Sequence, residues 1–233
     1  MTLLSPQQAR LDPEYVDAWV FDLDNTLYPA DSGLFTHVAD RMTAFIAGHF
    51  GVDHEEATRL RRQLFLDHGT TLRGLMDEHG LDPDPFLDYV HDIDMSGLKP
   101  NEAVVTGLAR LKGRKYVFTN ACGDYAGRVL DRIGLTAQFD GVFDIRDAGY
   151  VPKPAPETYD RMIARLGVTP ARAVMIEDIA RNLAPAAALG MTTVWLRTPT
   201  PWGSEPAPEG AVHQEIQDLG AWIAGLGGAR RGA

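Results

Sequence analysis

The sequence predicts an α/β protein, a doubly wound and mainly parallel sheet with a helical cap inserted into it. Three observations carry that expectation. Short apolar runs alternate with amphipathic helical patterns. Several of those runs stop abruptly at polar residues, namely Asp22, Thr119 and Glu177-Asp178. The interval 33–98 keeps a helical period throughout and contains no strand-like run.

The strands are expected at 18–21 (AWVF), 115–118 (KYVF), 141–143 (GVF), 173–176 (AVMI) and 192–196 (TTVWL). Runs this short and this apolar suit strands covered on both faces. Helices are expected at 102–111, 123–133, 156–166 and 179–189, several stopped by a glycine such as Gly134, Gly167 or Gly190. Within 33–98, Phe35, Val38, Met42, Phe45 and Ile46 form one apolar helix face. Asp53 with Glu56 has the spacing of a capping box. Leu72, Leu75 and Met76 begin a further helix that Gly80 closes, and Asp82-Pro83 opens one carrying Phe86, Leu87 and Val90. The expected division is a core of 1–32 and 99–233 with a cap of 33–98, hinged near 29–33 and 98–101. The chain then passes through a proline-rich loop, 199–208, resumes at 212–216 and ends in a helix near 218–226, followed by a tail expected to be disordered.

Composition narrows the function. The 233 residues carry 22 Lys and Arg against 32 Asp and Glu, a net charge of −10. Such a surface repels phosphate backbones and anionic membranes, so nucleic-acid polymers and membranes are not expected partners, while a small anionic ligand is compatible with a local cation. One cysteine, Cys122, excludes an internal disulfide. The first fifteen residues lack the basic start and apolar run of a secretory leader, and no apolar stretch reaches the ~20 residues of a membrane span. A cytoplasmic, soluble protein is expected, with a homodimer left open because no heptad or apolar stripe argues for one.

Ligands in doubly wound sheets bind beyond the carboxyl ends of the strands, where Asp22, Thr119 and Asp178 all fall. Asp22 and Asp24 lie two apart at such an end. An isolated pair of this kind more often caps a helix or braces a turn. Here it closes a buried strand and is joined by Thr26, Thr119-Asn120, Lys153 and Glu177-Asp178. Two crowded carboxylates resist ionisation unless a cation neutralises them, and Mg2+, which takes one or two carboxylates plus water and phosphate, suits the set. None of the seven histidines has zinc-site spacing. Cys122 has no base evident beside it, and Trp19, Trp195, Trp202 and Trp222 read as packing residues.

The ordered set Asp22-x-Asp24-x-Thr26, Thr119, Lys153 and Glu177-Asp178 resembles the haloacid dehalogenase-like hydrolase superfamily over residues 18–197. That resemblance implies a Rossmann-like core. It implies Asp22 as nucleophile, Asp24 as general acid/base, and Thr119 and Lys153 as holders of the phosphoryl oxygens. It further implies Mg2+ held by Asp22, the Asp24 backbone carbonyl and Asp178, with Glu177 as an extra contact. The superfamily's dehalogenases attack carbon and lack an aspartate at the place of Asp24, so the resemblance favours phosphoryl chemistry.

DLDNTLYP (22–29 with Phe21 before it), HGTTLRGL (68–75), LDPDPFLDYVHD (81–92), LKP (98–100) and RKYVFTNA (114–121) are similar to the pyrimidine 5′-nucleotidase branch, which implies UMP and CMP as substrates. Many members of that branch carry two aspartates where this chain has Glu177-Asp178. In the cap, Thr70, Thr71 and Arg73 either meet the substrate or form an ordinary helix start with a solvated arginine. Asn120 is expected to touch phosphate, its alternative being to brace its loop. Alternative readings are a sugar-phosphate or phosphoglycolate phosphatase, a phosphomutase and, outside enzymes, a phospho-receiver-like binding protein.

Overall fold

The computed structural model describes residues 11–226. Residues 1–10 and the tail expected to be disordered lie outside the described residues.

Six strands form one parallel sheet in the order β3-β2-β1-β4-β5-β6. They are β1 (Ala18–Phe21), β2 (Arg114–Phe118), β3 (Gly141–Phe143), β4 (Ala173–Glu177), β5 (Thr192–Leu196) and β6 (Gln214–Ile216). The chain runs from β1 outward through β2 to β3, then crosses back to the other side of β1 for β4, β5 and β6. That reversal opens a crevice at the carboxyl end of β1.

Both sheet faces are covered, which is why the strands read as continuous apolar runs rather than alternating ones. Trp19, Phe21, Val117, Val174 and Ile176 pack with Val104 and Leu108 of α5 (Glu102–Arg110), Val129 and Leu130 of α6 (Gly123–Arg132), and Ile223 of α9 (Leu219–Leu226). On the opposite face Ala18, Val20, Phe118 and Met175 pack with Tyr159 and Met162 of α7 (Pro156–Leu166) and with Leu183 and Ala186 of α8 (Leu183–Ala188).

Two details differ from expectation. The helix expected at 179–189 is a 3-10 turn, Ala180–Asn182, followed by α8. Starting the α-helix at Leu183 leaves Pro185 in its first turn, where no intrahelical N–H is needed. The 212–216 segment supplies a sixth strand, β6, paired in parallel with β5 (Val194 opposite Gln214, Leu196 opposite Ile216).

Four helices fill the interval between β1 and α5. They are α1 (Leu34–Phe50), α2 (His54–His68), α3 (Thr71–His79) and α4 (Pro83–His91). Asp53 caps α2 by accepting from the Glu56 N–H at 2.9 Å, and Thr70 caps α3 by accepting from the Arg73 N–H at 3.1 Å. Their shared apolar core includes Val38, Ile46, Leu64, Leu75 and Phe86.

One side of this helical layer is fastened to the core by polar contacts. Arg146 Nε donates to Asp84 Oδ1 at 3.0 Å and the Tyr150 hydroxyl donates to the same oxygen at 3.1 Å. Arg128 donates to the His91 carbonyl at 2.6 Å, and Arg132 to the Ser96 carbonyl at 2.6 Å. No helix among the described residues is long and apolar enough to cross a membrane.

Candidate active site

The register of β1 sets the site. Phe21 lies opposite Val117 on one neighbour and Ile176 on the other, so the next residue of each strand, Asp22, Phe118 and Glu177, reaches the same level. Beyond Asp22 the chain turns sharply, with Asn25 at φ 62°, a left-handed conformation that asparagine tolerates better than most residues. The turn carries Thr26 back so that its hydroxyl donates to Asp22 Oδ2 at 3.1 Å.

Lys153 arrives from the loop after β3 and is 2% exposed. Its ammonium donates to Asp22 Oδ1 at 2.6 Å, to Glu177 Oε1 at 2.9 Å and to the Phe118 carbonyl at 2.9 Å, which uses all three of its protons. Glu177 also accepts from Asn182 Nδ2 at 2.6 Å and, through Oε2, from the Ile179 N–H at 2.6 Å. Both oxygens of Glu177 are therefore engaged in holding Lys153 and the loop after β4.

Asp178 differs. It is buried, and its Oδ2 has no hydrogen-bond partner. A buried orphan carboxylate oxygen is costly in a protein interior. Oxygens of Asp22, Glu177 and Asp178 lie within 4.8 Å of one another. This all-oxygen, strongly anionic set fits a hard divalent cation such as magnesium, with Asp178 Oδ2 the ligand atom that the hydrogen bonding leaves without a partner.

Burial pushes the Asp22 carboxyl up to about 7; Lys153 opposes the rise while Glu177 and Asp24 add to it. Burial likewise pushes Asp178 well above the usual carboxylate range, reinforced by the charges of Glu177 and Asp22. Lys153 is held in its charged form because the two carboxylates outweigh its desolvation.

Asp24 is half-buried and its Oδ1 accepts from two tyrosine hydroxyls, Tyr28 at 2.5 Å and Tyr125 at 2.8 Å. Burial raises the Asp24 carboxyl, and those two bonds oppose the rise.

Thr119 is buried, its Oγ1 accepting from the Ala121 N–H at 3.0 Å, while Asn120 and Ala121 form the nearby cavity wall. The Asn120 side chain brackets Lys153: Oδ1 accepts from the Lys153 N–H at 2.9 Å and Nδ2 donates to the Lys153 carbonyl at 3.4 Å. The Asn120 side chain thus braces the lysine loop, matching the Lys153 N–H and carbonyl with an acceptor and a donor, while the residue also lines the cavity where phosphate is expected.

Above these groups lies a cavity of about 490 Å³ between sheet and helical layer. Asp22, Asp24, Lys153 and Asp178 line its floor; Phe35, Phe65, Phe86 and Trp202 line its walls, with Arg61, Arg62 and Arg181 among them. Phe35 and Trp202 meet edge to face with ring centroids 5.5 Å apart, and the Arg181 guanidinium lies 4.8 Å from the centre of the Phe65 ring. Trp202, expected only to pack, is a cavity wall.

The three cap residues singled out in the sequence part company. Thr70 and Thr71 line this cavity. Arg73 pairs with Asp77 at 2.7 Å and faces a separate cleft with His68 and Pro152; its (i, i+4) neighbour claims the guanidinium. Gly69 takes φ 81°, a conformation that side-chain-bearing residues rarely adopt, at the C-cap of α2 where cap meets the lysine loop. Cys122 also has a neighbour the spacing could not reveal, with His91 Nδ1 at 3.1 Å from its sulfur. Tyr28 belongs to the DLDNTLYP motif and was within reach of sequence reading; Tyr125, Phe65 and Arg181 come together only across the fold.

Comparisons with known proteins agree with this architecture. The chain is 27% identical over 189 residues to phosphate metabolism protein 8 of Saccharomyces cerevisiae, an alignment covering 73% of this chain and 58% of the yeast protein. It is 27% identical over 197 residues to glyceraldehyde 3-phosphate phosphatase of Methanopyrus kandleri, covering 78% and 84% respectively. The chain thus spans under two thirds of the yeast relative's length. Among solved structures, a HAD phosphatase from Thermococcus onnurineus superposes with a TM-score of 0.61 at 22% identity over 92% of this chain and all of the other. Finally, the family model for haloacid dehalogenase-like hydrolases matches residues 16–190, and with that match over most of its length this chain belongs to the haloacid dehalogenase-like hydrolase family.

Proposed function

We propose that this hydrolase is a magnesium-dependent phosphomonoesterase that works through an aspartyl-phosphate on Asp22, with the pyrimidine nucleoside 5′-monophosphates UMP and CMP as leading substrates. The observation that carries the reading is the placement of a buried carboxylate, Asp22, against the Lys153 ammonium at 2.6 Å on the floor of a cavity that Asp24 also lines.

Asp22 is held by Lys153 and Thr26, so its rotamer is fixed before substrate arrives. One of its oxygens attacks phosphorus as the ester P–O bond breaks, and Asp24 gives a proton to the departing oxygen. Asp24 then takes a proton from water, whose oxygen bonds to phosphorus while the Asp22–phosphorus bond breaks, releasing phosphate. Lys153 offsets the negative charge gathered on the floor. Asp22, Asp178 and the Asp24 carbonyl would hold magnesium. When bound, the ion offsets phosphoryl charge and polarises a phosphoryl oxygen.

Cavity size and lining support a nucleoside leaving group. Aromatic walls at Phe35, Phe65 and Trp202 suit a flat base, and Arg61 and Arg62 offer donors for its carbonyl edge or for ribose. A second reading, a small sugar phosphate, draws on the name of the Methanopyrus relative, but a triose would leave most of 490 Å³ to water. Helical-cap opening about 29–33 and 98–101 would admit the substrate.

Phosphate release from UMP, CMP, AMP, glyceraldehyde 3-phosphate and phosphoglycolate, measured with magnesium, tests both parts. UMP or CMP is expected to exceed the triose phosphate in kcat/KM by about tenfold or more, the scale of a few apolar contacts. A triose optimum overturns the substrate, and release from none overturns the activity.

A further inference from the structure

The two tyrosine hydroxyls on Asp24 have no place in the mechanism above. Tyr28 and Tyr125 come from opposite ends of the site, one from the turn after β1 and the other from the first turn of α6, and both reach the same oxygen, Oδ1, at 2.5 and 2.8 Å. Their own oxygens lie 3.4 Å apart, and each ring is essentially fully buried. We infer that Tyr28 and Tyr125 are positioning residues that occupy Oδ1 of Asp24 and so reserve Oδ2 for the proton exchanged with the leaving oxygen and the attacking water.

The argument is one of hydrogen-bond capacity. A protonated carboxyl has one oxygen that only accepts and one that carries the proton. Two O–H donors directed at Oδ1 make it the accepting oxygen, which fixes the proton on Oδ2. A phenol keeps its proton at neutral pH, so both hydroxyls remain donors. Asp24 keeps an exposed portion and lines the cavity where the ester oxygen must lie.

The cap supports this arrangement from the far side. His91, the last residue of α4, stacks on the Tyr125 ring with centroids 4.4 Å apart and planes 21° from parallel. Its ring is fixed by Cys122 and its carbonyl by Arg128. Tyr125 is thereby clamped between cap and core, and the orientation of Asp24 depends on the cap being seated.

This inference rests on the phosphomonoesterase reading, and its test separates the two. Tyr28→Phe and Tyr125→Phe remove only a hydroxyl each. With magnesium-saturated enzyme, kcat/KM is measured for 4-nitrophenyl phosphate, whose leaving oxygen needs no proton, and for whichever alkyl phosphate the wild type turns over best. Each variant is expected to lose about tenfold or more on the alkyl ester, part of the ~10²–10⁴ that a positioned acid supplies, and less than threefold on the aryl ester. The inhibition constant of inorganic phosphate is expected to be unchanged.

Equal losses on both esters, or no loss on the alkyl ester, overturn the tyrosine role while leaving the phosphatase reading intact. A wild type that hydrolyses neither ester overturns both. If one variant fails to fold, the other carries the same selective readout.

Discussion

The floor and the walls of the cavity are built by opposite means. On the floor, Lys153, Asp22 and Glu177 are buried, and their polar atoms are bonded to one another, to Thr26, to Asn182 and to backbone groups. On the walls, Phe35, Phe65, Trp202 and Arg181 are half-buried and meet mainly through ring contacts between cap and core. A buried ionic network tolerates no missing member, because the group left behind keeps its desolvation cost without compensation. Aromatic edges at a partly open rim lose only their own contact. On the proposed function, the difference teaches that bond-making would be held rigidly, whereas choice of leaving group would be entrusted to contacts that can part and re-form.

The comparison breaks most visibly at the proposed nucleophile. Asp22→Asn is expected to lower turnover by about 10³-fold or more, over ~4 kcal/mol of barrier, in a phosphate-release assay; near-wild-type release would remove Asp22 from its role. Lys153→Met should cost about 3–5 kcal/mol of stability, since Asp22 and Glu177 would remain buried with no cation. Urea denaturation of the metal-free protein measures this, and a loss under ~1 kcal/mol would show that the floor is not the tight network its distances describe.

On the wall the expected effect is smaller and of another kind. Trp202→Ala should raise KM for UMP about 5- to 30-fold, on the scale of base–aromatic stacking, with kcat within threefold and ribose 5-phosphate unaffected. Steady-state kinetics on the pair would sharpen the distinction, and a matching loss on the base-free ester would erase it.

His91 joins the two regions, and its effect is read through pH. Burial first, then the charges of Arg128 and Arg146, push its imidazole down from 6.5 to about 3. Between those values the unfolded chain binds the proton and the folded chain does not. Its contribution is therefore complete above about 6.5 and declines as pH falls, by at most about 1.4 kcal/mol per pH unit. Asp22, Asp24 and Asp178 slope the other way, being raised in the fold. Comparing wild type with His91→Asn across pH 5–7 by denaturation isolates the histidine; parallel curves would show that its burial carries no proton linkage.

Much of this is legible in the amino-acid sequence alone. Apolar runs that stop at Asp22, Thr119 and Glu177-Asp178 announced parallel strands with a crevice at their ends, because strands buried on two faces must be apolar until they emerge. The helix starts at Asp53, Thr70 and Asp82 followed from local capping chemistry. Less accessible were the edge strand β6, which depends on a neighbour to pair with, and the late start of α8, where Pro185 shifted the boundary. Asn120 and Arg73 show the limit at the site. Each carries groups able to bind phosphate, and the side chain of each has a nearer partner, the Lys153 backbone and Asp77, although Asn120 still lines the cavity.

The amino-acid order by itself determined the sheet, the inserted helices and the set of acidic, hydroxyl and lysine residues at the strand ends, since periodicity and capping act over a few residues. Only the tertiary structure decided which of those groups are already spoken for, that Tyr28 and Tyr125 share one oxygen of Asp24, and that Phe35, Phe65, Trp202 and Arg181 form the cavity walls. Those outcomes turn on ångström-scale hydrogen bonds and ring contacts between residues that can lie more than a hundred positions apart, and local sequence exerts no force over that range.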